Sequence, residues 1–277
     1  MSTRINHNVL SLTAQRNLGQ TQGQLDQAVN RLSSGLRINN AWEDPAGLAI
    51  SERFRGQIVS MQEAERNANY DINMLSTAEG AMSVIDEKLV RLRALSVEAA
   101  NGSVTDDDRA ILDTEFQALK SEITRIAEVT NYNGINLING DFSAADIRFH
   151  VGTYAVSGED YYDVNIKSMT ASSLGLGSTG ITTTTAALAA ITAIDTAIDS
   201  KDTERTTLGS YVERLQNTVL NLQISHENAT KSESQIRDAD VAAEMSNFTR
   251  AQILMQSGVS MLAQANQVPS MVGQLIG

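Results

Sequence analysis

From Leu208 to Ala229 a seam-compatible side chain returns every three or four residues: Leu208, Val212, Leu215, Val219, Leu222, His226 and Ala229. A helix of 3.6 residues per turn lines that series up on one stripe, whereas a strand would need a period of two. Such a stripe cannot bury itself, so the chain must supply helices to cover it. The same 4-3 rhythm recurs on both sides. Near the N-terminus it reads Leu18, Leu25, Val29, Leu32 and Leu36, with Ile5, Val9 and Leu12 in a different phase just upstream. Further on come Phe54, Ile58 and Met61, then Leu75, Ala78, Met82, Ile85, Leu89 and Leu92, then Leu112, Phe116, Leu119, Ile123 and Ile126. The last series is Val241, Met245, Phe248, Met255, Val259 and Leu262. With 42% hydrophobic but only 4% aromatic residues and two prolines, these stripes specify an aliphatic core between long helices.

The interruptions are as informative. "RINNAWEDPAG" (37–47) clusters Asn, Asp, Pro and Gly, which reads as a hinge with Asp44 as N-cap and Pro45 at the first helical position. Trp42 falls in this hinge, where packing is the expectation. A long helix then runs to Ala100, "ANGS" (100–103) is a turn, and "TDDD" (105–108) reads as a capping box opening the next helix. "NYNG" ends that helix. The period then changes: Ile147, Phe149 and Val151 alternate with Arg148 and His150, and Tyr162, Val164 and Ile166 alternate with Asp163 and Asn165. Two short strands joined by "VSGED" follow from that pattern. "SSLGLGSTGITTTT" is loop material, helix returns near Ala186, and the seam resets at "SQIRDAD". The expected fold is mainly α: long antiparallel helices drawn from both chain halves into a coiled-coil bundle, with a small β-hairpin in the middle.

After Arg250 no charged residue occurs, yet Gln, Asn and Ser recur every few positions. Beside its first stripe this tail carries a second: Leu254, Gly258, Met261, Ala265, Val268, Val272 and Leu275. One stripe suits one partner helix; two suit a helix packed among several. An uncharged helix of this kind belongs inside an assembly, and its polar residues rule against a membrane span.

Several function classes fall away. A net charge of −12 without a basic run argues against nucleic-acid binding. No cysteine is present for disulfides, zinc-thiolate sites or thiol nucleophiles. His7, His150 and His226 lie far apart, and "HENAT" (226–230) has Thr230 where a zinc protease needs its second histidine. "GLGSTG" (175–180) is no dinucleotide fingerprint, and "GDFSAAD" lacks calcium-loop spacing. No enzyme, cofactor or metal site is expected. "MSTRINHNVLSLTAQRN" has no apolar core, so a Sec-type signal is not expected either.

"RLSSGLRINNAWEDPAGLAISERFRGQI" (31–58), "AERNANYDINMLSTAEGAM" (64–82), "LRALSVEAANGS" (92–103) and "NYNGINLINGDF" (131–142) resemble the N-terminal half of bacterial flagellins. "RTTLGSYVERLQNTVLNLQISHEN" (205–228) and "SQIRDADVAAEMSNFTRAQILMQSGVSMLAQANQVP" (234–269) resemble their C-terminal half. The resemblance implies a filament subunit that self-assembles through its terminal helices for swimming motility. Residues 1–44 with 236–277 would form an inner terminal-helix domain. Residues 45–235 would form a helical bundle, with 143–185 as its short central hairpin and loop region. It also implies secretion through the flagellar export apparatus to the extracellular flagellum. The implied partners are other copies of the chain, an export chaperone on the C-terminal end, a filament cap and hook-associated junction proteins. A junction protein and a secreted ligand of an innate immune receptor are the alternatives. By resemblance Arg91, Leu95 and Glu115 match receptor-contact positions, exposed on the middle bundle, while Ala94 departs from the family's Glu. Ser178, Thr179, Thr182, Thr183, Thr184 and Thr185 would lie in an outward loop open to O-linked sugars.

Overall fold

The computed structural model describes residues 7–143 and 146–276, with side chains described up to Gln267 in the last helix. Five helices dominate: α1 (Val9–Ser34), α2 (Pro45–Ala99), α3 (Asp106–Val129), α4 (Thr184–Arg237) and α5 (Val241–Ile276). Four short strands lie between α3 and α4: β1 (Asn131–Tyr132), β2 (Ile135–Asn136), β3 (Ile147–His150) and β4 (Tyr161–Val164). The chain divides into two compact units. One holds the described residues up to Gln57 together with those from Asn228; the other is Ile58–Glu227. The long helices α2 and α4 contribute to both.

In the terminal unit α1 and α5 lie antiparallel. Asn8 caps α1 by accepting from the Ser11 N–H (3.1 Å), and Gly35 closes it in the left-handed region (φ 71°), donating to the Arg31 carbonyl. Asp240 caps α5 through the Ala242 and Ala243 N–H groups. A short antiparallel clasp ties the two connections together. Arg37 N–H donates to the Arg237 carbonyl (2.6 Å), Ala239 N–H donates to the Gly35 carbonyl (2.9 Å), and Leu36 faces Asp238. The predicted start of α2 holds: Asp44 accepts from the Gly47 N–H (2.8 Å) ahead of Pro45. A Cβ at Gly47 would lie 2.3 Å from Asp44 Oδ2 and 2.9 Å from Ile38 Cδ1, so a larger residue there would have to displace the capping carboxylate. Trp42, expected to pack, is 75% exposed; it sits in the turn after the clasp, where Ile38 fills the available interior.

The second unit carries the large core. On α2 the buried series is Ala64, Ala68, Leu75, Ala78, Met82, Ile85, Leu89, Leu92, Ser96 and Ala99. α4 answers with Ala187, Ala190, Ile194, Ala197, Leu208 and Leu215, and α3 with Phe116, Ile123 and Ala127. Two charged residues interrupt the α4 series and are paired: Lys201 with Asp86 and Asp202, and Glu204 with the Lys167 N–H (3.0 Å) and Nζ. The Thr105 capping box on α3 forms as expected, with Thr105 and Asp108 exchanging bonds. Arg109, buried, fastens the α2–α3 turn by donating to the Ala99 and Asn101 carbonyls.

"NYNG" does more than end α3. Asn133 (φ 51°) and Gly134 (φ 80°) form a two-residue left-handed turn that pairs β1 with β2. β3 and β4 pair antiparallel, Ile147 opposite Val164 and His150 opposite Tyr161, so Val151 and the pair Asn165 and Ile166 of the expected alternation fall outside the strands. Phe149 and Val164 face the core. The connection is held by Asp160, whose carboxylate accepts from the Tyr154 and Val156 N–H groups (both 3.0 Å), so its pKa lies below the ordinary value. The Gly- and Ser-rich segment after β4 is irregular but packed, since Met169, Leu174, Leu176 and Ile181 enter the core. Lys120 donates to the Gly177 and Thr179 carbonyls, and Asp113 accepts from the Ile181 N–H, clamping it to α3.

Candidate assembly surface

The α1–α5 seam is built from a heptad on each helix. Ser11, Ala14, Leu18, Thr21, Leu25, Ala28 and Leu32 are the seam positions of α1, all buried or half-buried. On α5 they are Glu244, Phe248, Ala251, Met255, Gly258, Leu262 and Ala265. The register is fixed by Asn8 donating to the Ala265 carbonyl (2.8 Å), Ser11 to Asn266 (2.9 Å), and Arg31 lying 3.9 Å from Glu244. Leu18 Cδ1 occupies the space that a Cβ on Gly258 would need, 2.8 Å away. Small residues thus let the backbones approach, and large ones fill the gaps beside them.

This seam takes some of the sequence-predicted stripe residues and leaves others. Leu18, Leu25 and Leu32 on α1 and Met255 and Leu262 on α5 face it. Leu36 does not extend the α1 stripe, because the helix ends at Ser34 and Leu36 belongs to the clasp. Val29, Val259, Leu254 and Met261 are exposed, while the side chains of Val268 and Leu275 lie outside the described residues. Val9 and Leu12, the second phase on α1, are each 62% exposed. A pattern of large apolar residues passes over Ala14, Ala28 and Ala251, which are seam positions, while Gly258 and Ala265 of the second tail stripe do lie on the seam. The signal that could have found those alanines is the unbroken 3-4 spacing of small residues in register with the leucines.

Further large apolar residues of both helices stay outside the seam, on both of its flanks and behind it. Val9, Leu10, Leu12 and Val29 on α1, and Val241, Met245, Ile253, Leu254, Val259 and Met261 on α5, point away from the seam. Along α5, Met245, Thr249, Arg250, Ile253 and Leu254 line an open groove of about 540 Å³. Exposed apolar area of this extent on paired helices marks a surface for association.

The remaining predicted positions do not form one site. Arg91 of α2 and Glu115 of α3 make an exposed ion pair (2.7 Å), but Leu95 is fully buried in the core and shares no surface with them. The expectation that all three are exposed is corrected: Leu95 belongs to the α2 core face. The sugar candidates are not one outward loop either, because the segment closes onto α3 and runs directly into α4. Thr183 accepts from the Ala186 N–H, Thr184 and Thr185 already belong to α4, and Thr179 donates to the Leu176 carbonyl; Ser178 and Thr182 are exposed in the loop. His226 is half-buried with its Nε2 3.0 Å from Gln62 Nε2. Among the described residues no group of three His, Asp or Glu side chains could hold a metal ion, and no helix is long and apolar enough to cross a membrane.

Paired terminal helices that leave further large apolar side chains uncovered fit a structural protein built for association. Comparison with known proteins makes the class specific. Residues 5–143 match the bacterial flagellin N-terminal helical region and residues 191–276 the bacterial flagellin C-terminal helical region. The chain is 42% identical over 273 residues to a flagellin of Halalkalibacterium halodurans, covering 98% of this chain and 99% of that one. It is 38% identical over 286 residues to the flagellar filament 33 kDa core protein of Treponema phagedenis, covering 98% and 99%. In fold it is similar to a putative flagellar hook-associated protein from Vibrio parahaemolyticus, with a TM-score of 0.59 and 16% identity over 71% of this chain and all of that one. The chain belongs to the bacterial flagellin family.

Proposed function

We propose that this chain is the structural subunit of a bacterial flagellar filament, assembling by burial of the exposed apolar faces of α1 and α5 against neighbouring copies. The observation that carries this is the apolar surface left over: after the intramolecular seam is made, Leu254, Ile253, Val259 and Met261 remain exposed around a helix with no charge beyond Arg250. Each such side chain fully buried contributes about 1.5–3 kcal/mol, so a few per interface suffice for a stable polymer. In this reading residues 1–44 and 236–277 form the inner layer and 45–235 the outer. The chain reaches the extracellular flagellum through the flagellar export apparatus. An export chaperone covers the apolar C-terminal helix before assembly, and cap and junction proteins meet the same helices at the filament ends.

The test is electron microscopy of the purified chain after salt is added. Copies of a chain with net charge −12 repel, and screening weakens that repulsion, so long filaments should form and their yield should rise with salt. Short caps or persistent monomers would favour a junction protein instead.

A further inference from the structure

We propose that Asp71 is a proton-binding switch that sets how firmly the β3–β4 hairpin docks on α2 and α4. Along α2 the inward positions around it are Ala64, Ala68, Leu75, Ala78 and Met82, all apolar, so a carboxylate at the next inward position between Ala68 and Leu75 breaks the pattern. One turn earlier on that face, Asn67 donates to the His150 carbonyl of β3 (3.2 Å), which places this part of α2 against the hairpin. Asp71 Oδ2 is buried there without a hydrogen-bond partner, and so is the Tyr162 hydroxyl of β4. Tyr162 is itself wedged among aromatic and cationic groups. The Phe149 ring meets it edge-on at 6.1 Å, the Tyr211 ring of α4 stacks at 6.4 Å, and the Arg214 guanidinium sits 4.1 Å above it.

Other titratable and charged groups around this junction are the paired Arg148 and Asp163, His150 and Tyr161 on the hairpin, Tyr154, Glu159 and Asp160 in its connection, and Glu213 on α4. Glu159, Glu213 and Arg214 line an open cleft of about 570 Å³ on the solvent side. Asp71 makes no ion pair among the described residues, and burial pushes its carboxyl up to about 7. Burial likewise raises the Tyr162 phenol to about 12, so the phenol stays neutral while Asp71 titrates. An ionised, unpartnered carboxylate in this position is costly and a neutral one far less so. The docked hairpin therefore binds the Asp71 proton more tightly than the undocked one. Docking is strongest at and below the ordinary carboxylate range and weakens as pH rises through neutrality.

The experiment follows the Asp71 carboxyl carbon by NMR titration of the full chain, with hydrogen exchange of residues 147–151 and 161–164 corrected for the intrinsic pH dependence. The expected carboxyl midpoint is near neutrality. If undocking takes the carboxyl to an ordinary value, hairpin protection should fall about tenfold between roughly pH 6 and pH 8. Asp71→Asn should abolish that fall, while His150→Gln, the control for a histidine origin, should keep it. A midpoint at the ordinary aspartate value, or a fall that persists in Asp71→Asn, overturns the proposal. Should Asp71→Asn not fold, the carboxyl midpoint of the unsubstituted chain decides alone. None of these readings depends on filament formation.

Discussion

Arg91 and Leu95 are one helical turn apart on α2, yet one reaches solvent and the other is sealed in the core. Their substitution should separate accordingly. Leu95→Ala removes a fully buried side chain and should destabilise the chain by about 2–5 kcal/mol in chemical denaturation. Arg91→Ala loses an exposed pair worth at most about 1 kcal/mol. Equal losses would mean that the helix faces are wrongly assigned. Asp108 and Asp160 offer a second test at this scale. Both have pKa values held down, Asp108 by the Thr105 hydroxyl and N–H, Asp160 by backbone N–H groups. Each stabilises the fold above the ordinary carboxylate range, and that contribution is lost as pH falls through the lowered folded-state value. Asp160→Asn should therefore flatten the acid limb of a stability-against-pH curve; an unchanged acid limb would show that the Asp160 bonds do not persist in solution.

At the scale of elements the two units differ in what they bury. The terminal unit's buried apolar residues are mostly alanines, Ala28, Ala229, Ala251 and Ala265, with Ile38 in the clasp. The other unit seals Leu75, Met82, Ile85, Leu89, Leu92 and Phe116 completely. Less apolar area per residue means weaker local stability, so in dilute monomer α1 and α5 should exchange amide hydrogens well before the middle of α2. Uniform protection across the five helices would contradict this. The helices themselves were legible in the sequence because their stripes are long and the starts at Asp44 and Thr105 carry specific chemistry, whereas the Gly35 stop of α1 was overrun by the stripe continued to Leu36. The β3–β4 hairpin was legible from strict alternation. The β1–β2 turn was missed because its strands are two residues each, leaving only Asn133–Gly134 as a signal. The packing of Leu174, Leu176 and Ile181 was hidden by the glycines and serines between them. The seam was legible only in part: Gly258 and Ala265 fell on the second tail stripe, but small residues at Ala14, Ala28 and Ala251 carry too little hydrophobic signal of their own.

For the whole molecule, membership of the flagellin family and the geometry of the terminal helices meet in the proposal made above, that the uncovered apolar residues of α5 drive polymerisation. The most direct test is salt-induced assembly, followed by sedimentation and electron microscopy, of a Leu254→Asp, Val259→Asp double variant beside the unsubstituted chain. Neither residue lies on the α1 seam, so circular dichroism and the unfolding of the 58–227 unit should be unchanged. Burying two unpaired carboxylates at each subunit contact costs several kcal/mol, so the variant should stay in the supernatant while the unsubstituted chain pellets as long filaments. A variant that forms filaments with the same yield and salt dependence would contradict the account.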